Sequence, residues 1–157
     1  MAEQLWMADS YIKEFEATVV GVQGAEVELD KTAFYPGGGG QPFDTGTVAR
    51  SGEVFRVVET KKSAGKIVHV VDHGGLHVGG SVSGSIDWDR RYAIMRYHTA
   101  LHVLAAIINK KTGALITGNQ IYDSKARMDF NLEDFDRNKI QGFFDETNDI
   151  VQRGIDV

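Results

Sequence analysis

Two histidines four residues apart, His98 and His102, have the type and spacing to hold a metal ion. On a helix this spacing puts both imidazoles on one face, one turn apart, so two neutral nitrogens can reach a single ion. Zinc favours such ligands. The pair alone is a weak signal, because isolated His-x3-His spacings are common. Thr99 stands where a zinc protease carries the glutamate of His-Glu-x-x-His, and threonine is no comparable general base. The chain has no cysteine, so it supplies no thiolate ligand or nucleophile. His69, His73 and His77 repeat the four-residue spacing. His69 falls in a strand-like run, however, and Gly74 and Gly75 separate His73 from His77. These three read as histidines of a barrel surface and a loop.

The second conspicuous feature is Pro36-Gly37-Gly38-Gly39-Gly40-Gln41-Pro42. Glycines allow positive φ and bring backbone close to a neighbour or ligand. The loop lacks the Gly-Lys-Ser/Thr ending of a phosphate-binding loop and opens no helix, so as a bare feature it reads first as a turn. Thr32 just before it offers a hydroxyl, either to a polar substrate or simply to a strand. Gly118-Asn119-Gln120 offers side-chain amides, with an ordinary loop as the simpler reading.

These residues need elements to position them. Short runs at 16–22, 25–30, 47–50, 53–60, 67–72 and 81–87 are rich in valine, with Gln23-Gly24, Ser51-Gly52, Ala64-Gly65 and Gly79-Gly80 between them or at their ends. Such spacing suggests a small β-barrel. The alternation in 53–60 is imperfect. The period then changes: Asp87 can cap a helix from Trp88 to about Lys111, stopped by Gly113. Ile94, Tyr97, Leu101, Leu104 and Ile108 form its apolar stripe, which the histidines flank. Residues 114–116 and 125–131 are candidate strands. Asn131 can cap a second helix with Leu132, Phe135, Ile140, Phe143 and Ile150 on its apolar face, ending at Gly154. Ile155 to Val157 reads as the opening of a strand that is cut off. Two domains are expected, 1–87 and 88–157, packed on each other.

The 42% hydrophobic and 25% charged composition of the 157 residues fits a folded protein rather than a disordered one. No apolar run of about 18 residues suggests a membrane span, and the N-terminus lacks the basic-then-apolar pattern of a secretory signal. The expected location is the cytoplasm. A net charge of −5 argues against a generic nucleic-acid binder. The charge is uneven: residues 88–131, around the histidine pair, hold seven basic and three acidic side chains. A phosphate backbone could approach there, although a solvated mixed surface fits equally well.

Taken together, the chain resembles the AlaX family and the matching editing domain of alanyl-tRNA synthetase. The resemblance rests on Asp30-Lys-Thr-Ala-Phe-Tyr-Pro-Gly-Gly-Gly-Gly-Gln-Pro and Asp44-Thr-Gly-Thr-Val. It continues in Ile86-Asp-Trp-Asp-Arg-Arg, Met95-Arg-Tyr-His-Thr-Ala-Leu-His-Val-Leu, Thr117-Gly-Asn-Gln-Ile and Ala126-Arg-Met-Asp-Phe. These motifs span nearly the whole chain in the family's order, and the glycine-rich barrel resembles the medium-length type. The resemblance implies an α+β fold, with a small N-terminal β-barrel packed on an α/β editing domain. It implies zinc-dependent hydrolysis of the aminoacyl ester on mischarged alanine-specific tRNA carrying serine or glycine. His98 and His102 would be zinc ligands. Thr32, Gly37, Gly38, Gly39, Gly40, Gln41 and Gln120 would lie against the aminoacyl substrate.

The family supplies two further ligands from a later Cys-x3-His motif, which is missing here. The expectation is a chain truncated at its C-terminus that alone binds zinc weakly and edits poorly. The alternative is a non-catalytic tRNA- or protein-binding module that kept the fold with an incomplete metal site. Two chains sharing ligands are a third possibility.

Overall fold

The computed structural model describes residues 2–132 and 136–154. Strands β1 (Glu3–Gln4) and β4 (Lys31–Thr32) form a small parallel pair, with a short 3-10 turn at Leu5–Met7. The remaining early strands are β2 (Glu14–Gln23), β3 (Glu26–Leu29), β5 (Gly46–Arg50), β6 (Glu53–Ser63), β7 (Lys66–Val71) and β8 (Ser81–Ile86). They close into a barrel in the order β2-β3-β7-β6-β5-β8. Closure leaves no long unpaired edge.

The barrel core follows from alternation. Phe15, Ala17 and Val19 of β2 are buried, as are Val82 and Ile86 of β8. Between those two on β8 sits Gly84, paired with Phe15; a Cβ there would lie 2.4 Å from the Phe15 ring. The imperfect alternation of 53–60 has a physical cause. A register shift between Val57 and Glu59 turns Val58 out, so Phe55, Val57 and Thr60 all point inward. The turns Ser51-Gly52 and Ala64-Gly65 have positive φ at both residues, the pattern of two-residue hairpins that match strand twist.

Helix α1 (Trp88–Thr112) starts and stops where the sequence indicates. Asp87 Oδ1 accepts from the Arg90 amide at 3.5 Å, and Gly113 has φ of 75°. Ile94, Leu104 and Ile108 are buried, whereas Tyr97 and Leu101 are half-buried. Strands β9 (Ile116–Ile121) and β10 (Ala126–Phe130) form an antiparallel pair, and α2 (Arg137–Gln152) follows. Leu104, Ile107, Ile108, Ala114 and Phe143 form a second core.

Three expectations are corrected. Gly118 to Gln120 is strand, not loop, because each residue pairs with β10. The second helix is capped by Asp136, whose carboxylate accepts from the Asn138 amide at 2.8 Å. Asn131 instead pairs with Leu115, its Oδ1 accepting from the Leu115 amide at 2.6 Å. His69 is not on the barrel surface but fully buried. Phe135 and residues 155–157, expected on the helix face and in a strand, lie outside the described residues.

The chain divides into two compact units. One comprises Met1–Gly38 and Pro42–Arg91, the other Gly39–Gln41 and Tyr92–Val157. The first turn of α1 therefore groups with the barrel, and the tip of the glycine loop groups with the second unit. No helix among the described residues is long and apolar enough to cross a membrane.

Candidate functional site

The glycine loop begins from a closed stem. The Asp44 amide donates to the Tyr35 carbonyl at 2.9 Å, and the Tyr35 amide donates to the Asp44 carboxylate at 2.6 Å. Arg91 clamps this stem. Its Nε donates to both Asp44 oxygens at 2.9 and 3.0 Å, and its terminal nitrogens donate to the Ala33 and Ser10 carbonyls. A fork of N–H donors on one carboxylate fixes orientation as well as charge. Both residues fall inside recognisable motifs, but 47 positions separate them and no local pattern announces their pairing. The one available signal was an aspartate two residues past the loop's second proline.

At the loop tip, the Gly40 carbonyl accepts from the Ile121 amide at 2.7 Å, tying the tip to β9. Gly40 has φ of 86°, and a Cβ there would fall 1.8 Å from Asn119 Oδ1 and 2.8 Å from the Asn119 carbonyl oxygen. The side chain could swing away, but the backbone oxygen could not. Gly40→Ala is therefore expected to undock the tip, at a cost of about 1–3 kcal/mol for the clash and the lost hydrogen bond. Hydrogen exchange at the Ile121 amide should quicken at least about tenfold. Unchanged exchange would mean the tip is not held there.

Within the same unit, Gln41 Oε1 lies 2.8 Å from His98 Nδ1. The His98 and His102 rings stack at 4.9 Å between centroids, tilted by 18°. Both histidines are exposed. Partial burial, and then the neighbouring His102, hold the His98 pKa below the ordinary histidine value. That favours the neutral, ligating form. Two near-parallel imidazoles on one helix face are donors of the kind zinc takes. Among the described residues no group of three or more His, Cys, Asp or Glu could hold a metal ion. The pair thus fits as part of a zinc set, not the whole of one.

The remaining expected site residues are placed as follows. Gly37, Gly38 and Gly39 have φ of 75°, 137° and 62°, and the Tyr35 hydroxyl donates to the Gly38 carbonyl. Gln120 is half-buried, its amide donating to the Ile121 carbonyl at 3.2 Å. Alternation along β9 sends it to the face opposite Asn119. Thr32 lies in β4. It is fully buried, with Oγ1 2.9 Å from His69 Nε2 and accepting from the Phe34 amide at 3.1 Å. Asn119, which frames the loop tip, was legible only as one of several loop amides.

Comparison with known proteins adds to this geometry. The family model described as tRNA synthetases class II (A) matches residues 4–90, more than half of the chain. The alanyl-tRNA editing protein AlaX-M of Saccharolobus solfataricus is 49% identical over 160 residues, covering 100% of this chain and 67% of the relative. The AlaX-M protein of Methanosarcina mazei is 49% identical, over 96% of this chain and 64% of the relative. The alanine–tRNA ligase of Ignicoccus hospitalis is 46% identical over 130 residues, which cover 81% of this chain and 14% of the ligase. The chain spans about two thirds of the length of the AlaX-M relatives it matches.

Proposed function

The chain belongs to the family of alanyl-tRNA editing proteins of the AlaX-M type, and from that premise we propose that it acts in hydrolysing the ester of alanine-specific tRNA mischarged with serine or glycine. The observation that carries the reading is the Gln41–His98–His102 arrangement, where the glycine-loop tip meets the helix face that carries both histidines.

His98 and His102 are the residues that would hold zinc, and bound there zinc would supply Lewis-acid activation of the ester carbonyl. An aminoacyl ester is already activated, so the protein's main task is to orient the ester and a water molecule. No serine or cysteine nucleophile is needed for this. The loop residues Gly37, Gly38, Gly39 and Gly40 present backbone to the aminoacyl group at close range. Gln120 borders the substrate from β9. Thr32, whose hydroxyl is held beside His69 Nε2, would lie near the aminoacyl group with the glycine loop. The net positive stretch 88–131 accepts the tRNA phosphates. The substrate places the reaction in the cytoplasm.

With two candidate ligands among the described residues rather than the three of ordinary catalytic zinc sites, the expected behaviour of this chain alone is weak zinc binding and poor hydrolysis. The lack of a third candidate ligand among the described residues also favours a second reading, tRNA binding without hydrolysis.

Deacylation of seryl- and glycyl-tRNA for alanine tests both. The chain and the full-length AlaX-M relative from Saccharolobus solfataricus would be assayed with zinc and with chelator. The expected result is zinc-dependent hydrolysis by the relative and at least about tenfold slower hydrolysis by the chain, given its incomplete ligand set. Chelator-insensitive hydrolysis by the chain at the relative's rate would refute the zinc assignment. Tight binding of uncharged and mischarged tRNA with no hydrolysis would favour the second reading.

A further inference from the structure

A histidine that ligates through one ring nitrogen is set by what the other nitrogen bonds. His98 has no such partner on its own helix: one turn away stand Ile94, Met95, Leu101 and His102, none of which offers a side-chain oxygen. The partner comes from 57 positions earlier in the chain. Gln41 Oε1 lies 2.8 Å from His98 Nδ1. An amide oxygen only accepts, so the ring nitrogen facing it must carry the proton.

We infer that Gln41 is a positioning residue for the metal site: it locks His98 in the Nδ1–H tautomer, leaving the Nε2 lone pair for the metal. This rests on the zinc reading above and goes beyond a substrate contact for Gln41.

The surroundings are built for that contact. The Gly40 carbonyl, one residue before, accepts from the Ile121 amide at 2.7 Å, and Asn119 leaves no room for a side chain at Gly40. The loop tip is thus fixed immediately beside Gln41, which shortens the lever on which its side chain moves. A stacked His102 limits the His98 ring from the other side, at 4.9 Å between centroids. A neutral amide oxygen orients the ring without adding negative charge. The site therefore keeps the charge its own ligands give it, which a carboxylate partner would lower.

The test reads the tautomer directly in metal-free, ¹⁵N-labelled protein near neutral pH, from long-range correlations of the imidazole nitrogens. His98 is expected as Nδ1–H in the wild-type chain and predominantly as Nε2–H, the form a free histidine side chain prefers, in Gln41→Ala. Gln41→Glu keeps an acceptor and should keep Nδ1–H. In competition with a chromophoric chelator, Gln41→Ala should weaken zinc binding about 10–100-fold, the usual effect of losing an outer-shell partner, and Gln41→Glu should restore it. An Nε2–H His98 in the wild type, or a tautomer unmoved by Gln41→Ala, overturns the inference whatever the zinc result. A wild-type chain with the expected tautomer and no zinc binding overturns the zinc reading instead, and leaves the lock on His98 standing.

Discussion

Asp44→Ala is expected to destabilise the barrel unit by about 3–5 kcal/mol, the usual cost of stripping one partner from a buried ion pair. The pair is truly buried: the side chains of Arg91 and Asp44 are 3% and 2% exposed. Removing the carboxylate leaves a guanidinium that cannot deprotonate, held among the described residues by the neutral Ala33 and Ser10 carbonyls. It also strips the Tyr35 amide of its acceptor at the mouth of the glycine loop. Trp6 and Trp88 are the chain's two tryptophans and both lie in this unit, so fluorescence during urea unfolding reports on it. The double variant Asp44→Ala/Arg91→Met removes the stranded charge and should recover much of the loss. A single-variant cost below about 1 kcal/mol, typical of exposed pairs, would show that the stem does not depend on this clamp.

That clamp shows where sequence reasoning reaches and where it stops. The barrel strands were legible because inward and outward residues alternate and because Ser51-Gly52 and Ala64-Gly65 mark their turns. The start of α1 was legible from Asp87, and the histidine pair from its spacing on that helix. What was not legible depended on partners distant in the chain. Residues 116–121, Ile-Thr-Gly-Asn-Gln-Ile, carry too little apolar pattern to announce a strand; β10 makes them one. Asn131 and Asp136 are both good helix caps, and the ladder to Leu115 decided between them. His69 misled because Ile67, Val68 and His69 are buried in succession, so alternation had no exposed face to mark. Asp44 with Arg91, and Gln41 with His98, join residues 47 and 57 positions apart. No local pattern records such pairs.

His69 carries the second large effect, a loss of stability in acid. Its environment is satisfied by one neutral arrangement. Nδ1–H donates to the Val27 carbonyl at 3.1 Å, Nε2 accepts from the Thr32 hydroxyl at 2.9 Å, and Thr32 Oγ1 accepts from the Phe34 amide. A second ring proton would face the hydroxyl's own hydrogen and would place a charge in a fully buried site. Burial accordingly pushes the His69 pKa down from 6.5 to about 4, against a smaller upward effect of the Val27 carbonyl. The unfolded chain binds this proton near pH 6.5 and the folded chain only near pH 4, so protonation favours unfolding between those values. Stability present above pH 6.5 is lost as pH falls through this window, by about 3 kcal/mol for a shift of this size. Urea unfolding of wild type and His69→Gln at several pH values from 7.5 to 4 isolates the contribution, since the carboxylates are common to both. The wild-type curve should fall more steeply, so the gap between the two should close or reverse by about 3 kcal/mol toward pH 4. Parallel curves would mean that His69 takes up its proton as readily folded as unfolded, and the neutral Phe34–Thr32–His69–Val27 chain would have to be abandoned.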